Sequence, residues 1–265
     1  MRPIFLFGLA VFSLFATSNA SHAGVISGGG YTASNEIPYA YEDISNSGTT
    51  LFGEDVDDDF WNFDLGFDFK FFGTNYNTVL VSTNGLFTFV KGTNEWNNYD
   101  FDRAPPFADR PFVDLPSIAA YWDDIVTATG RLVGEIRGMP GARRAIFQWT
   151  NVQGYTSSPS VGEFQAIFYE RNGRIRFNYS DVDFGDGRSF GGQATIGIRD
   201  TAGHISGRRL QWSFDQAIIP NGSSLQFTET VPEPSSMAIF GLASAAFGLR
   251  RSSRNVLVRC LKRNS

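Results

Sequence analysis

Between Leu65 and Phe71 the side chains alternate with a period of two. Leu65, Phe67, Phe69 and Phe71 fall on one side, and Gly66, Asp68 and Lys70 on the other. A strand buried on one face produces this pattern, whereas a helix would scatter the same residues around its axis. Asn84-Gly85 follows between expected strands at 78–82 and 86–90, and this pair suits a tight reversal with positive φ. Further strands are expected at 118–122, 131–136, 144–150, 163–170, 174–179, 194–199, 208–213 and 224–227. The clearest hairpin runs from Phe164 to Tyr179 and turns at Asn172-Gly173, with Ile175, Phe177 and Tyr179 on one face and Arg174, Arg176 and Asn178 on the other. Residues 24–50, rich in Gly, Ser and Tyr, are expected as a loop-rich lead-in to a domain over 51–228. No stretch keeps a 3.6-residue apolar period with capping signals. The expected fold is an all-β antiparallel β-sandwich of about ten strands, with a β-barrel as the alternative. The 26 phenylalanines suit the core of such a domain, because each buried ring removes a large apolar area from water.

The two ends follow different rules. Arg2 and the apolar run 4–15 make the n- and h-regions of a secretion signal over 1–23, with cleavage after Ala23 and Ala20 as the alternative site. At the far end three features come in order: Pro232, Glu233 and Pro234, an apolar run over 237–249, and the arginines Arg250, Arg251 and Arg254. As a helix that run rises about 20 Å, short of the ~30 Å hydrocarbon core. A short C-terminal membrane helix is therefore expected to make only transient membrane contact, with its arginines held on the cytoplasmic side.

Residues 231–254 resemble the sorting signal of the PEP-CTERM proteins of Gram-negative bacteria. The resemblance implies that an exosortase, acting with the secretion machinery, recognises Pro232, Glu233 and Pro234 and removes the tail on the way to the surface. A basic tail over 255–265 follows the arginines. The stretch from Leu51 to Phe227 also resembles the nidogen-type extracellular domain. The residues that carry this likeness are 71–76 (Phe-Phe-Gly-Thr-Asn-Tyr), 81–86 (Val-Ser-Thr-Asn-Gly-Leu), 118–124 (Ile-Ala-Ala-Tyr-Trp-Asp-Asp), and the strand pair at 164–167 and 175–179. It implies an extracellular β-rich module of adhesive and matrix proteins, with no catalytic residues to carry over.

Processing at both ends would make the chain more acidic. Residues 24–234 keep all 27 Asp and Glu but lose seven of the 22 Lys and Arg, which moves the formal charge from -5 to -12. That balance repels nucleic acid and leaves divalent cations or plain solubility as its uses. The single cysteine, Cys260, lies in the tail. The processed domain would thus rely on its core, without disulfides.

Catalytic chemistry has few candidates. Of two histidines, His22 leaves with the signal, and His204 sits in a polar turn without a nucleophile elbow. Zinc and copper sites built from Cys and His are excluded on the same count. A non-catalytic domain is expected. A glycosidase-like carboxylate pair stays open as the enzyme alternative, because strand spacing does not report the distance between two carboxyl groups. Calcium, which prefers several hard oxygen ligands, is the one possible cofactor. Asp181, Asp183 and Asp186 offer alternate carboxylates in a Gly-containing loop, and 54–59 (Glu-Asp-Val-Asp-Asp-Asp) is the lesser candidate. A solvated acidic turn is the default for both.

Trp122-Asp123-Asp124 ends an apolar strand, so Trp122 reads as core and the aspartates as turn formers. The loop after 90 mixes Trp96, Tyr99, Phe101, Phe107 and Phe112 with Asn97, Asn98, Asp100, Asp102 and Arg103. Trp96, Tyr99 and Phe101 are candidate ligand residues for an extracellular polysaccharide or a surface protein. A loop packed over one end of the sandwich is the competing reading.

Overall fold

The computed structural model describes residues 24–104, 115–156 and 159–230. Among them are fifteen strands. These are β1 (Val25–Gly28), β2 (Tyr31–Ser34), β3 (Thr49–Phe52), β4 (Phe60–Phe71), β5 (Thr74–Ser82), β6 (Leu86–Thr88), β7 (Ser117–Trp122) and β8 (Ile125–Val126). They continue with β9 (Arg131–Arg137), β10 (Arg144–Gly154), β11 (Gly162–Tyr169), β12 (Ile175–Asp181), β13 (Thr195–Arg199), β14 (Arg209–Phe214) and β15 (Ser223–Glu229). One helical turn, α1 (Gly203–Ser206), and a short 3-10 segment at Ser189–Gly191 complete the described elements.

The strands form two antiparallel sheets that do not close into a barrel. One sheet runs β1-β2-β15-β12-β11-β10-β9-β3, with β8 added to the end of β10. The other runs β14-β13-β7-β6-β5-β4. The alternation that begins at Leu65 is realised in full: Leu65, Phe67, Phe69 and Phe71 are buried, and Gly66, Asp68 and Lys70 are exposed. The strand itself begins earlier, at Phe60, and a register shift between Asp64 and Phe69 separates its two halves. Both expected reversals form. Gly85 has φ 72° and Gly173 has φ 63°, and a Cβ on Gly85 would lie 2.2 Å from the Tyr121 carbonyl oxygen. Glycine is required there on both counts.

Aromatic rings fill the space between the sheets. Phe87 of β6 meets Phe147 and Trp149 of β10 and Phe168 of β11 at centroid distances of 5.0, 5.6 and 4.8 Å. Phe69 of β4 stacks on Phe168 at 5.0 Å, and Trp149 stacks on Phe164 at 4.7 Å. All six of these rings are fully buried. The Trp149 indole also donates to the Thr83 carbonyl at 2.9 Å, which satisfies its N–H inside the core.

The lead-in differs from expectation. Residues 24–50 contain β1, β2 and the start of β3, which lie at the two edges of the larger sheet. Four-residue strands are too short for a period-two pattern to stand out, and Gly29 and Gly30, both at positive φ, reverse the chain between the first two. The stretch between β2 and β3 crosses the outer face of that sheet. Ile44 packs with Val133, Ile146 and Ile167, and its amide donates to Gln148 Oε1 at 2.8 Å. Gln165 Nε2 donates to the Glu42 carbonyl at 2.8 Å, Asn178 Nδ2 to Gln165 Oε1 at 2.9 Å, and Ser224 Oγ to Asn178 Oδ1 at 2.6 Å. Asn178 is thus on the face opposite Phe177, as its alternation requires, yet fully buried. The amide ladder satisfies polar groups that the crossing segment takes out of water.

The secretion signal with its Ala23 cleavage site, the Pro232-Glu233-Pro234 sorting segment, Arg250, Arg251 and the expected membrane helix over 237–249 lie outside the described residues, as do Phe107 and Phe112.

Phe87 touches both layers, so Phe87→Ala should cost about 3–5 kcal/mol, the range for deleting a buried aromatic ring. Urea unfolding of the exported domain measures this, and a loss under about 1 kcal/mol would contradict the inter-sheet role given to the ring.

Candidate functional site

Four segments meet at one cleft: the loop after β6, the turn after β7, the turn holding the 3-10 segment, and the residue that follows β14. They contribute Trp96, Asn97 and Asn98; Asp123 and Asp124; Arg188, Gly192 and Gln193; and Asp215, around a volume of about 370 Å³. A second cleft of about 330 Å³ lies beside Glu54, Arg131 and Asn151 but has no aromatic wall.

Asn84 assembles the first cleft. Its side-chain amide is buried and donates to Asp58 Oδ1 at 2.8 Å and to the Glu95 carbonyl at 3.4 Å, while its Oδ1 accepts from the Ile125 amide at 2.8 Å. One side chain thereby ties the acidic 54–59 segment, the loop carrying Trp96 and the turn carrying Asp123 and Asp124. The Trp122 indole adds a second tie, donating to the Glu95 carbonyl at 3.1 Å.

Asp123 is only 6% exposed. Its Oδ1 accepts from the Asp124 amide at 2.8 Å, while Oδ2 is buried without a hydrogen-bond partner. The nearest cation is Arg188, whose Nε stands 3.9 Å from that oxygen and is itself buried without a hydrogen bond; its NH1 is engaged by Asp186 Oδ2 at 2.8 Å. Burial pushes the Asp123 carboxyl up to about 7, with the Asp124 and Asp186 charges adding and the Asp124 amide and Arg188 opposing. Asp124 is pushed up to about 6 by burial first and then by Asp58 and Asp57.

Carboxylate oxygens of Asp57, Asp58 and Asp124 lie within 4.8 Å of one another. Among the described residues this is the one group of three acids or other ligating side chains close enough to share an ion. Burial and the Asp58 charge raise the Asp57 carboxyl as well. Hard oxygen donors of this kind are the type calcium takes.

The sequence-derived candidates separate in the structure. Trp96 lies on the cleft and is 47% exposed. Tyr99 and Phe101 are core residues: Tyr99 packs edge-on and Phe101 tilted against Trp122, beside Leu86 and Ala119, and the buried Arg199 guanidinium sits 5.2 Å from each ring centre. The ring faces offset part of the cost of taking this cation out of water, which accounts for two aromatics in an otherwise polar loop. Asp181, Asp183 and Asp186 do not converge on one point. Asp181 accepts from Asn221 and the Asp183 amide, Asp183 from Ser189 and the Gly185 amide, and Asp186 from the Arg188 amide and guanidinium. Their alternate spacing serves a loop in which each carboxylate caps a nearby N–H. His204 is half-buried on α1. Asp123, Arg188, Gln193 and Asp215 were not legible as site residues. The available signal was two consecutive acids directly after a strand that is apolar over 118–122, where at least one acid shares that strand's burial.

The fold and the sorting tail define an exported all-β module of the bacterial cell surface. The chain belongs to the NIDO-related family, whose model matches residues 30–240. Residues 230–252 match the PEP-CTERM protein-sorting motif, and the protein is an exosortase-sorted extracellular protein. Comparison with curated proteins and with solved structures finds no match.

A carboxyl group whose folded value is raised favours folding most below the ordinary carboxylate range. Stability contributed by Asp123 should therefore fall as pH rises from about 4 to about 7 and stay level above. Asp123→Asn keeps the shape and removes the charge, so it should gain up to about 4 kcal/mol over the parent at pH 8 and little at pH 4. Urea unfolding at the two pH values tests this; a difference independent of pH would refute the assignment.

Proposed function

We propose that this protein is a non-catalytic adhesive or structural module, displayed at the surface of a Gram-negative bacterium and contributing to an extracellular polysaccharide matrix. The observation that carries the proposal is the sorting motif at 230–252, which begins directly after the last strand ends at Glu229. A domain released there would leave the membrane whole, with both sheets intact. Its filled aromatic core needs no disulfide, and the acidic charge expected after processing keeps it soluble outside the cell.

The polysaccharide-active alternative has one observation in its favour, the Asp123 and Asp124 carboxyl groups on a cleft. Glycosidases separate the protonation of their two carboxyls, keeping one protonated and the other ionised. Here burial raises both. That pairing suits a recessed polar wall better than an acid and a nucleophile.

Glu233→Ala should block exosortase processing, leaving a longer, membrane-associated form in cell fractions. Surface protein of parental mass from that variant would overturn the sorting step. Deleting the gene should reduce matrix retention at the cell surface. The purified protein should release no reducing ends from matrix polysaccharide, and their release would favour the enzymatic alternative.

A further inference from the structure

We infer that the cleft beside Trp96 binds a neutral sugar unit of a polysaccharide, with Trp96 under its C–H face and the amide and carboxyl groups of the cleft wall taking its hydroxyl groups. The inference rests on the adhesive reading above and supplies its ligand class.

Two observations point the same way. Trp96 stays half in water on a polar rim, while its neighbour Trp122 is 1% exposed. A flat indole left at the mouth of a cleft offers a stacking surface for the apolar face of a pyranose ring. Next, the wall around it is polar: Asn97, Asn98, Gln193, Asp123 and Asp124 line the same cleft, and amide and carboxyl groups are the partners that sugar hydroxyls take.

Charge selects among sugars. The cleft carries Asp123, Asp124 and Asp215 against Arg188, whose guanidinium Asp186 already engages. Uronates and sulfated sugars bring further negative charge to that wall, whereas a neutral hexose brings only hydroxyls. Asn98 holds the wall in place, its Nδ2 donating to the Gln193 carbonyl at 2.8 Å and to Asp215 Oδ1 at 3.2 Å. The mouth is therefore braced in the unliganded protein, which lowers the ordering cost of binding.

The test is isothermal calorimetry on protein recovered from the surface of its own host, with cellohexaose, mannohexaose and a galactan hexamer against hexagalacturonate. Saturable binding of at least one neutral oligomer is expected, weakened at least about tenfold by Trp96→Ala and only about threefold by Trp96→Phe. Trp96 is exposed, so both variants should unfold at the parental temperature. Silence with every neutral oligomer, equal binding by Trp96→Ala, or a preference for the uronate would each overturn the inference. Matrix retention separates this failure from that of the adhesive reading. If gene deletion impairs retention and Trp96→Ala does not, adhesion stands and the sugar cleft falls. If deletion leaves retention intact while the protein still binds the oligomer through Trp96, the cleft stands and the matrix role falls.

Discussion

The aromatic contact between the two sheets is the constraint on which the remaining structure depends. Phe87 projects from the smaller sheet into a pocket formed by Phe147, Trp149 and Phe168 of the larger one. A domain with no cysteine among its described residues has no covalent brace, so burial of these rings must supply the cohesion. The contact also sets geometry at a distance. Trp149 reaches through the core to the Thr83 carbonyl, which places the Asn84-Gly85 corner, and Gly85 lets that corner press against the backbone of β7.

From that corner the candidate site follows. Asn84 is one residue on a three-residue turn, yet its side chain joins three segments that are remote in sequence. Acidic groups from two of them then face each other as Asp57, Asp58 and Asp124, while the third carries Trp96 to the cleft. Burial first, and then the neighbouring carboxylates, raises the proton affinity of Asp57, Asp123 and Asp124. A surface module can carry such a site because its core, and not its loops, holds the sheets together.

Local pattern was informative wherever one face of a strand met the core and the other met water. β4 was legible for that reason, and the β11–β12 hairpin through its Asn172-Gly173 turn and the alternation after it. It was misleading where both faces were buried. Asn178 falls on the polar face of its alternation, but the segment between β2 and β3 covers that face and pairs with Gln148 and Gln165, the latter in turn accepting from Asn178. Aromatic residues in the loop after β6 were equally ambiguous. Trp96 points to the cleft while Tyr99 and Phe101 enclose Arg199, and composition cannot distinguish rings that meet a ligand from rings that meet a buried cation.

The chain by itself determined its all-β class, its principal hairpins and its sorting tail, because each of these depends on residues adjacent or alternating along the backbone. Tertiary structure alone decided which acids share a cleft and which aromatic remains accessible. Those outcomes depend on contacts between residues tens of positions apart, such as Asp58 with Asn84 and Asp123 with Arg188. Sequence spacing does not encode the distances of such pairs. Only the packing of one sheet on the other, and of the loops that leave them, brings these charges together.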